Sequence, residues 1–450
     1  MRAFTMMIRS NDPQPLLPPC RCAPPGAPRR SRTIQLQSTA PNVGSADSAP
    51  AAEATRQRQT RRRPARPNLF QSFFLGGFEC STHYRSQGGL RLDVNRATGH
   101  DRFAAEDFAA LQAHGIRTVR DGIRWHRIEK TPGQYTFADD LPLVHAAIAT
   151  GTQVIWDLCH YGWPDDTDPF RAAFGKRLAR MSRAFVSLLF EEGVASPFVV
   201  PINEISFLSW IGGTEGKFPP FAINRGDELK RALVQASIET IEAVWEVAPR
   251  ARICLIDPMI NVVGHPDNLE DCRNAERYRL SQYVAWDMIA GRIAPELGGK
   301  AEYLDVIGVN YYIHNQWLHR GNGKYCRMLR PADPGYRPVA DMLAEIYARY
   351  QRPLFIAETG IEARRRASWL RNICGQVAAA IHAGVPMEGI CLYPVTDYPG
   401  WLDDRHCPTG LLGYPDEHGC RPVCRPLADE LKRQQALFAN LRACSDGRHG

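Results

Sequence analysis

The chain has 450 residues, 44% apolar and 23% charged, the proportions of a globular protein, and no apolar run reaches the roughly 18 residues that a membrane helix needs. The net charge of +7 comes from one end: residues 1–67 hold twelve Arg, no Lys and only three acids, Asp12, Asp47 and Glu53, so the rest of the chain sums to about −2. A basic balance confined to a tail argues against nucleic acid as the partner of the folded body.

Residues 1–68 are rich in Pro, Arg, Ser, Ala and Gln, with QRQTRRRPARP as the densest basic patch. Such a segment cannot bury enough surface to offset its ordering entropy, so a disordered Arg/Pro-rich extension is expected. No apolar core follows the early arginines, which argues against a secretory signal. Thirteen Cys are scattered along the chain, and Cys80, Cys159, Cys254 and Cys391 sit inside apolar runs, where a thiol behaves as a small hydrophobe. This usage predicts a reducing, cytoplasmic setting without a disulfide framework. Cys420 and Cys424 stand near His418, but only His406 and Cys407 are near enough in sequence to complete a ligand set, so no metal is expected.

From Phe70 onward strands and helices alternate. Apolar runs predict eight strands, at 73–80, 116–125, 153–160, 198–204, 252–257, 304–312, 353–358 and 389–396. Between them lie amphipathic helical patterns, among them FAAEDFAALQAHG and FGKRLARMSRAFVSLLFEEG, which stop at Gly115 and Gly193, and DDLPLVHAAIATG, which stops at Gly151. LKRALVQASIETIEAVW and WLRNICGQVAAAIHAG read the same way. Eight strands alternating with helices predict an α/β fold, a single (β/α)₈ TIM barrel over 69–440, with 441–450 as a flexible tail. An open doubly wound sheet is the alternative, and it lacks a Gly-rich phosphate loop after the first strand.

In such a barrel, polar residues at the C-terminal ends of strands point into the mouth. Here the second strand carries Arg120, the third ends at His160, and the fourth ends at Asn203-Glu204. The sixth ends at Asn310-Tyr311-Tyr312, the seventh at Glu358, and the eighth carries Tyr393 with Trp401 beyond. Tyr311 should face away from Tyr312, and Trp125 reads as core, whereas Trp210 and Trp317 are open as sugar platforms. Two carboxylates facing each other across a mouth suit glycosidic cleavage, in which one protonates the leaving oxygen and the other attacks or supports the anomeric carbon. Aromatic neighbours suit the apolar faces of sugar rings.

The motifs agree as a set. VRDGIRWHRI (119–128), HYGWP (160–164), PINE, VIGVNYY, IAETG and TDYPGW (396–401) resemble, in order and one per strand, the motifs of clan A glycoside hydrolases, most closely family 1, the β-glucosidase-like family. The resemblance implies a retaining β-glycosidase that hydrolyses O-glycosidic bonds without a cofactor. Glu204 would be the general acid/base and Glu358 the nucleophile. Asn203 would hold the sugar 2-hydroxyl, Arg120 would pair with Glu358, and Tyr312 would orient it. Asn310 and Tyr393 would support the site, with His160 and Trp401 lining the sugar pocket. Departures fall in the glycone shell: the family's strand-one Gln falls near His83–Tyr84, its acid before the last Trp is Gly400, its floor Trp is Tyr393, and the Asn after its nucleophile is Thr359. Two alternatives share this barrel, a transglycosylase using the same carboxylates and a sugar-binding pseudo-enzyme. The oligomeric state is not legible.

Overall fold

The computed structural model describes residues 68–319 and 327–447. The N-terminal extension lies outside the described residues except for Asn68.

Eight parallel strands close into a barrel in chain order. They are β1 (Phe74–Gly77), β2 (Thr118–Gly122), β3 (Gln153–Asp157), β4 (Phe198–Val200), β5 (Arg252–Pro258), β6 (Val306–Asn310), β7 (Leu354–Thr359) and β8 (Met387–Leu392). β1 pairs with β2 on one side and β8 on the other, which seals the cylinder and leaves no edge. The major helices of the outer ring are α1 (Ala104–Ala113), α2 (Leu141–Thr150), α3 (Ala172–Glu191), α4 (Gly226–Val247), α5 (Val284–Ile289), α6 (Val339–Tyr350), α7 (Arg366–His382) and α8 (Arg425–Gly447). α8 continues past residue 440, so the boundary drawn there from sequence falls inside a helix. Gly115, Gly151 and Gly193 all have positive φ where their helices stop. Two small sheets decorate the mouth. One joins Asn261–Val263, Gln316–Leu318 and Arg327–Met328, and the other pairs Tyr398–Pro399 with His406–Cys407.

The two-residue period of a strand sorts side chains to the two faces of the wall. Leu75, Ile155, Phe198, Val200, Cys254, Ile256, Val306 and Phe355 fill the barrel interior, and Phe70 packs with them. Val119, Val154, Trp156, Ile307, Val309 and Ile390 face the helices. Continued upward, the same period turns Arg120, Asp157 and Asn310 inward, so the polar layer of the mouth lies above an apolar plug. On the outer face, Asp121 accepts from His100 (Nε2–Oδ2 2.9 Å), and His100 Nδ1 lies 2.7 Å from Asp107. Asp107 is also gripped by Arg421, whose Nη2 is 2.9 Å from Oδ2. This buried four-residue cluster ties the end of the chain back to β2. Burial works against a charged imidazole, but the charge of Asp121 and the hydrogen bonds to both carboxylates push His100 up to about 9.

Candidate active site

The strand ends place the carboxylates in different local structures. Glu358 lies in β7, where the ladder slips: Ile356 pairs with Val309 and Glu358 with Asn310, so two steps of β7 oppose one of β6. This bulge resets the alternation after the inward Ala357 and turns Glu358 into the mouth as well. Arg120 Nη1 donates to Glu358 Oε1 at 2.6 Å, and the Tyr312 hydroxyl donates to Oε2 at 2.8 Å. Both oxygens are therefore fixed.

Glu204 stands beyond β4, in the left-handed region with φ 47° and ψ 60°. Its N–H donates to the Ile256 carbonyl of β5 (3.1 Å), and its carbonyl accepts from Leu208 (2.8 Å) to start a short helix. Asn310 Nδ2 donates to Oε1 at 2.8 Å, and the Tyr161 hydroxyl donates to Oε2. Burial and then the charge of Glu358 push the Glu204 carboxyl up to about 8, against the opposing pull of those two hydrogen bonds.

Arg120 is fully buried and joins the two halves of the site. Besides Glu358 it reaches Asp157 (Nε to Oδ2, 2.8 Å) and donates from Nη2 to Asn203 Oδ1 at 2.8 Å. Asn203 Nδ2 lies 3.1 Å from the Tyr161 hydroxyl and 3.2 Å from His160 Nε2. The Tyr393 ring stands under the guanidinium, 5.2 Å from centroid to Cζ, and parallel to His160. Gly77, opposite Arg120 in the ladder, makes room for it: a Cβ there would collide with the Tyr393 ring. Trp401, on the last hairpin, packs against Tyr161 and Phe218 at 5.6 and 5.7 Å. The fold thus gathers Arg120, His160, Asn203, Glu204, Asn310, Tyr312, Glu358 and Tyr393 around one mouth, with Trp401 on its wall.

The sequence does not single out Tyr161 between His160 and Trp163, and nothing in HYGWP announces its left-handed backbone, φ 59°. Glu79, two residues beyond β1, was read as part of an apolar run, yet its carboxylate lies 3.6 Å from His160 Nε2. His83 instead packs on Phe218 and bonds the Trp401 carbonyl, and burial pushes it down to about 3. At Gly400 an added Cβ would meet the exposed Asp403 carboxylate. Tyr311 does face away, parallel to Trp369, and Trp125 is core against Phe174. Trp317 packs on Tyr278 in a small sheet, and Trp210 packs near Phe207. Cys80 is buried, as expected, but within a polar cluster, 3.2 Å from His160 Nδ1. Cys80, Asp157 and His160 are the one group of potential metal ligands closely assembled among the described residues, and Asp157 there is already paired with Arg120. His406 instead bonds Asp397 at 2.9 Å. A cleft of about 380 Å³ opens beside Tyr161, lined by His83, Tyr84, Arg91, Trp163 and Phe221 among others.

The fold is similar to that of solved family 1 β-glucosidases. A β-glucosidase from Thermotoga maritima in complex with glucoimidazole superposes with a TM-score of 0.66 at 16% identity, covering 83% of this chain and 99% of that one. The AHE enzyme from Alicyclobacillus herbarius gives 0.66 at 17% identity, covering 83% and 100%. A further family 1 β-glucosidase structure from Thermotoga maritima gives 0.66 at 16%, covering 82% and 98%. No family model matches the chain, and no curated protein matches it in sequence.

Proposed function

We propose that the protein is a glycoside hydrolase, a retaining β-glycosidase that cleaves O-glycosidic bonds by double displacement. The observation that carries this reading is the unequal housing of two neighbouring carboxyls. Glu358 is ion-paired with Arg120 and fixed at both oxygens, while Glu204 is held in its acid form past neutrality by burial and by the charge of Glu358. Environments that differ in this way assign acid and nucleophile.

In the first step Glu204 gives its proton to the glycosidic oxygen, the bond to the anomeric carbon breaks, and Glu358 bonds that carbon from the other face. In the second, Glu204 as carboxylate takes a proton from water, whose oxygen displaces Glu358. Tyr161 suits both states of Glu204, since a hydroxyl donates to a carboxylate and accepts from an acid. Asn203, held by Arg120, would meet the 2-hydroxyl. The cleft beside Tyr161, whose hydroxyl bonds Glu204, would receive part of the glycoside. Transfer to a sugar acceptor would use the same two steps with that acceptor in place of water. The nine cysteines from Cys80 to Cys424 whose side chains are described are free, which supports a reducing location. No helix of the described residues is long and apolar enough to cross a membrane.

Glu358→Gly tests the assignment. Hydrolysis of an aryl β-glycoside should fall by about 10⁴-fold or more. Azide should restore part of it, with a glycosyl azide of inverted configuration as product. A Glu358→Gly protein that turns over normally without azide would overturn the reading.

A further inference from the structure

The mechanism leaves one acid of the mouth without a task. Glu79 follows β1, between the strands that carry Arg120 and Tyr393, and is 3% exposed. One oxygen accepts the Ser81 N–H at 3.0 Å, and the nearest ring nitrogen is His160 Nε2 at 3.6 Å. No arginine or lysine pairs with it among the described residues. Burial pushes its carboxyl up, and the charge of Glu358 adds to that despite His160. Beyond the Ser81 N–H and the more distant His160, an acid kept there at such a cost has no partner among the described residues.

The polar groups around it are complementary. The Tyr393 hydroxyl is 2% exposed and has no hydrogen-bond partner, and Trp401 Nε1 is likewise buried and unpartnered. One buried acceptor and two buried, unpartnered donors thus stand on residues of this site. Sugar hydroxyls donate and accept at once and satisfy both kinds of group, whereas a ligand carboxylate would face Glu79 and be repelled. Position 400 is a glycine and supplies no acid, and the side chain in its Cβ direction is the Asp403 carboxylate.

We propose that Glu79 reads the glycone: its carboxylate accepts hydrogen bonds from sugar hydroxyls in place of the acid missing at position 400, which restricts substrates to glycones that carry those hydroxyls free and no carboxylate. The proposal rests on the glycosidase reading and names the substrate class of that site.

The test compares wild type, Glu79→Ala and Glu79→Gln on the preferred aryl β-glycoside, its monodeoxy analogues and the matching uronide. Glu79→Ala should lower kcat/KM for the parent by about 100-fold or more, yet by less than about threefold for the analogues lacking the hydroxyls that Glu79 holds. Glu79→Gln should raise uronide turnover relative to the parent. An equal loss on every substrate would make Glu79 a positioning residue for His160 and overturn the proposal, as would no loss at all. Affinity for an imino sugar with the same hydroxyls gives a readout that needs no turnover. If Glu358→Gly refutes the glycosidase reading, an imino-sugar affinity unchanged in Glu79→Ala still refutes this one separately.

Discussion

Arg120 and Asp121 are neighbours on β2, yet they serve two buried charge clusters on opposite faces of the barrel wall. Outside, His100 and Arg421 meet Asp107 and Asp121, two cations against two anions. Inside, the single guanidinium of Arg120 meets Asp157 and Glu358, with Glu204 and Glu79 close by. The outer cluster is balanced and every member has a partner. The inner one carries more acid than base and relieves the excess by keeping a proton on Glu204. Buried charge that serves stability is paired off. Buried charge that serves chemistry is left with a group that must gain or lose a proton.

Glu204→Gln should produce the largest effect. Turnover of a substrate with a poor leaving group should fall by about 10²- to 10⁴-fold, with little loss on an activated dinitrophenyl glycoside. The decline of wild-type kcat/KM as pH rises through about 8 should disappear in the variant. Its stability should move the other way. A carboxyl raised from the usual range to about 8 binds its proton more tightly in the native state, so wild-type stability falls as pH climbs through that window. The amide does not titrate, so the Tm gap in favour of Glu204→Gln should widen from pH 4 to pH 8.

Arg421→Met should do the reverse. It strips a buried partner from Asp107 and should cost about 3–5 kcal/mol in denaturant unfolding, with kcat of the folded fraction unchanged. A large kcat loss with no stability loss would abolish the distinction between the clusters.

The outer cluster also sets a pH limit. His100 is raised in the folded state, so its contribution is complete below the free imidazole range and is lost as pH rises through about 9. The loss is on the order of 3 kcal/mol. Unfolding curves in a Glu204→Gln background at pH 6 and pH 10 isolate it from the inner cluster.

Gly77→Ala should have the smallest effect. The added methyl displaces Tyr393 from beneath Arg120, and kcat/KM should fall by about tenfold with a modest change in Tm. Unchanged kinetics would show that Tyr393 is packing alone.

The barrel was legible because its strands are continuous apolar runs and its helices stop at glycines that do adopt positive φ. Arg120, Asn203, Glu204, Tyr312 and Glu358 were legible because each stands at or near a strand end in a motif of fixed order. Two kinds of residue were not. Tyr161 enters the site through a left-handed turn, which a Tyr in a short loop does not signal. Glu79 sits at the end of the apolar run of β1, FFLGGFEC, whose composition does not mark it as a residue of the mouth. The helices α5, α6 and α8 and the small sheets were also missed: α5 and the small strands are short, whereas α6 carries a regular stripe of Val339, Met342, Leu343, Ile346 and Tyr350 that the sequence does display.

The left-handed backbone of Glu204 carries a consequence for how such a protein drifts. A non-glycine residue held at positive φ costs on the order of 1 kcal/mol, and here the same residue is also buried beside a like charge. Gly or Asn at position 204 would suit the turn better and would remove the repulsion. A lineage that no longer needed turnover would therefore gain stability by discarding this glutamate early, well before it disturbed Arg120 or Asp157. A sugar-binding descendant of this barrel should be recognisable by a small or amide residue at that one position. This chain carries a glutamate at that position, on left-handed backbone like Tyr161 beside it.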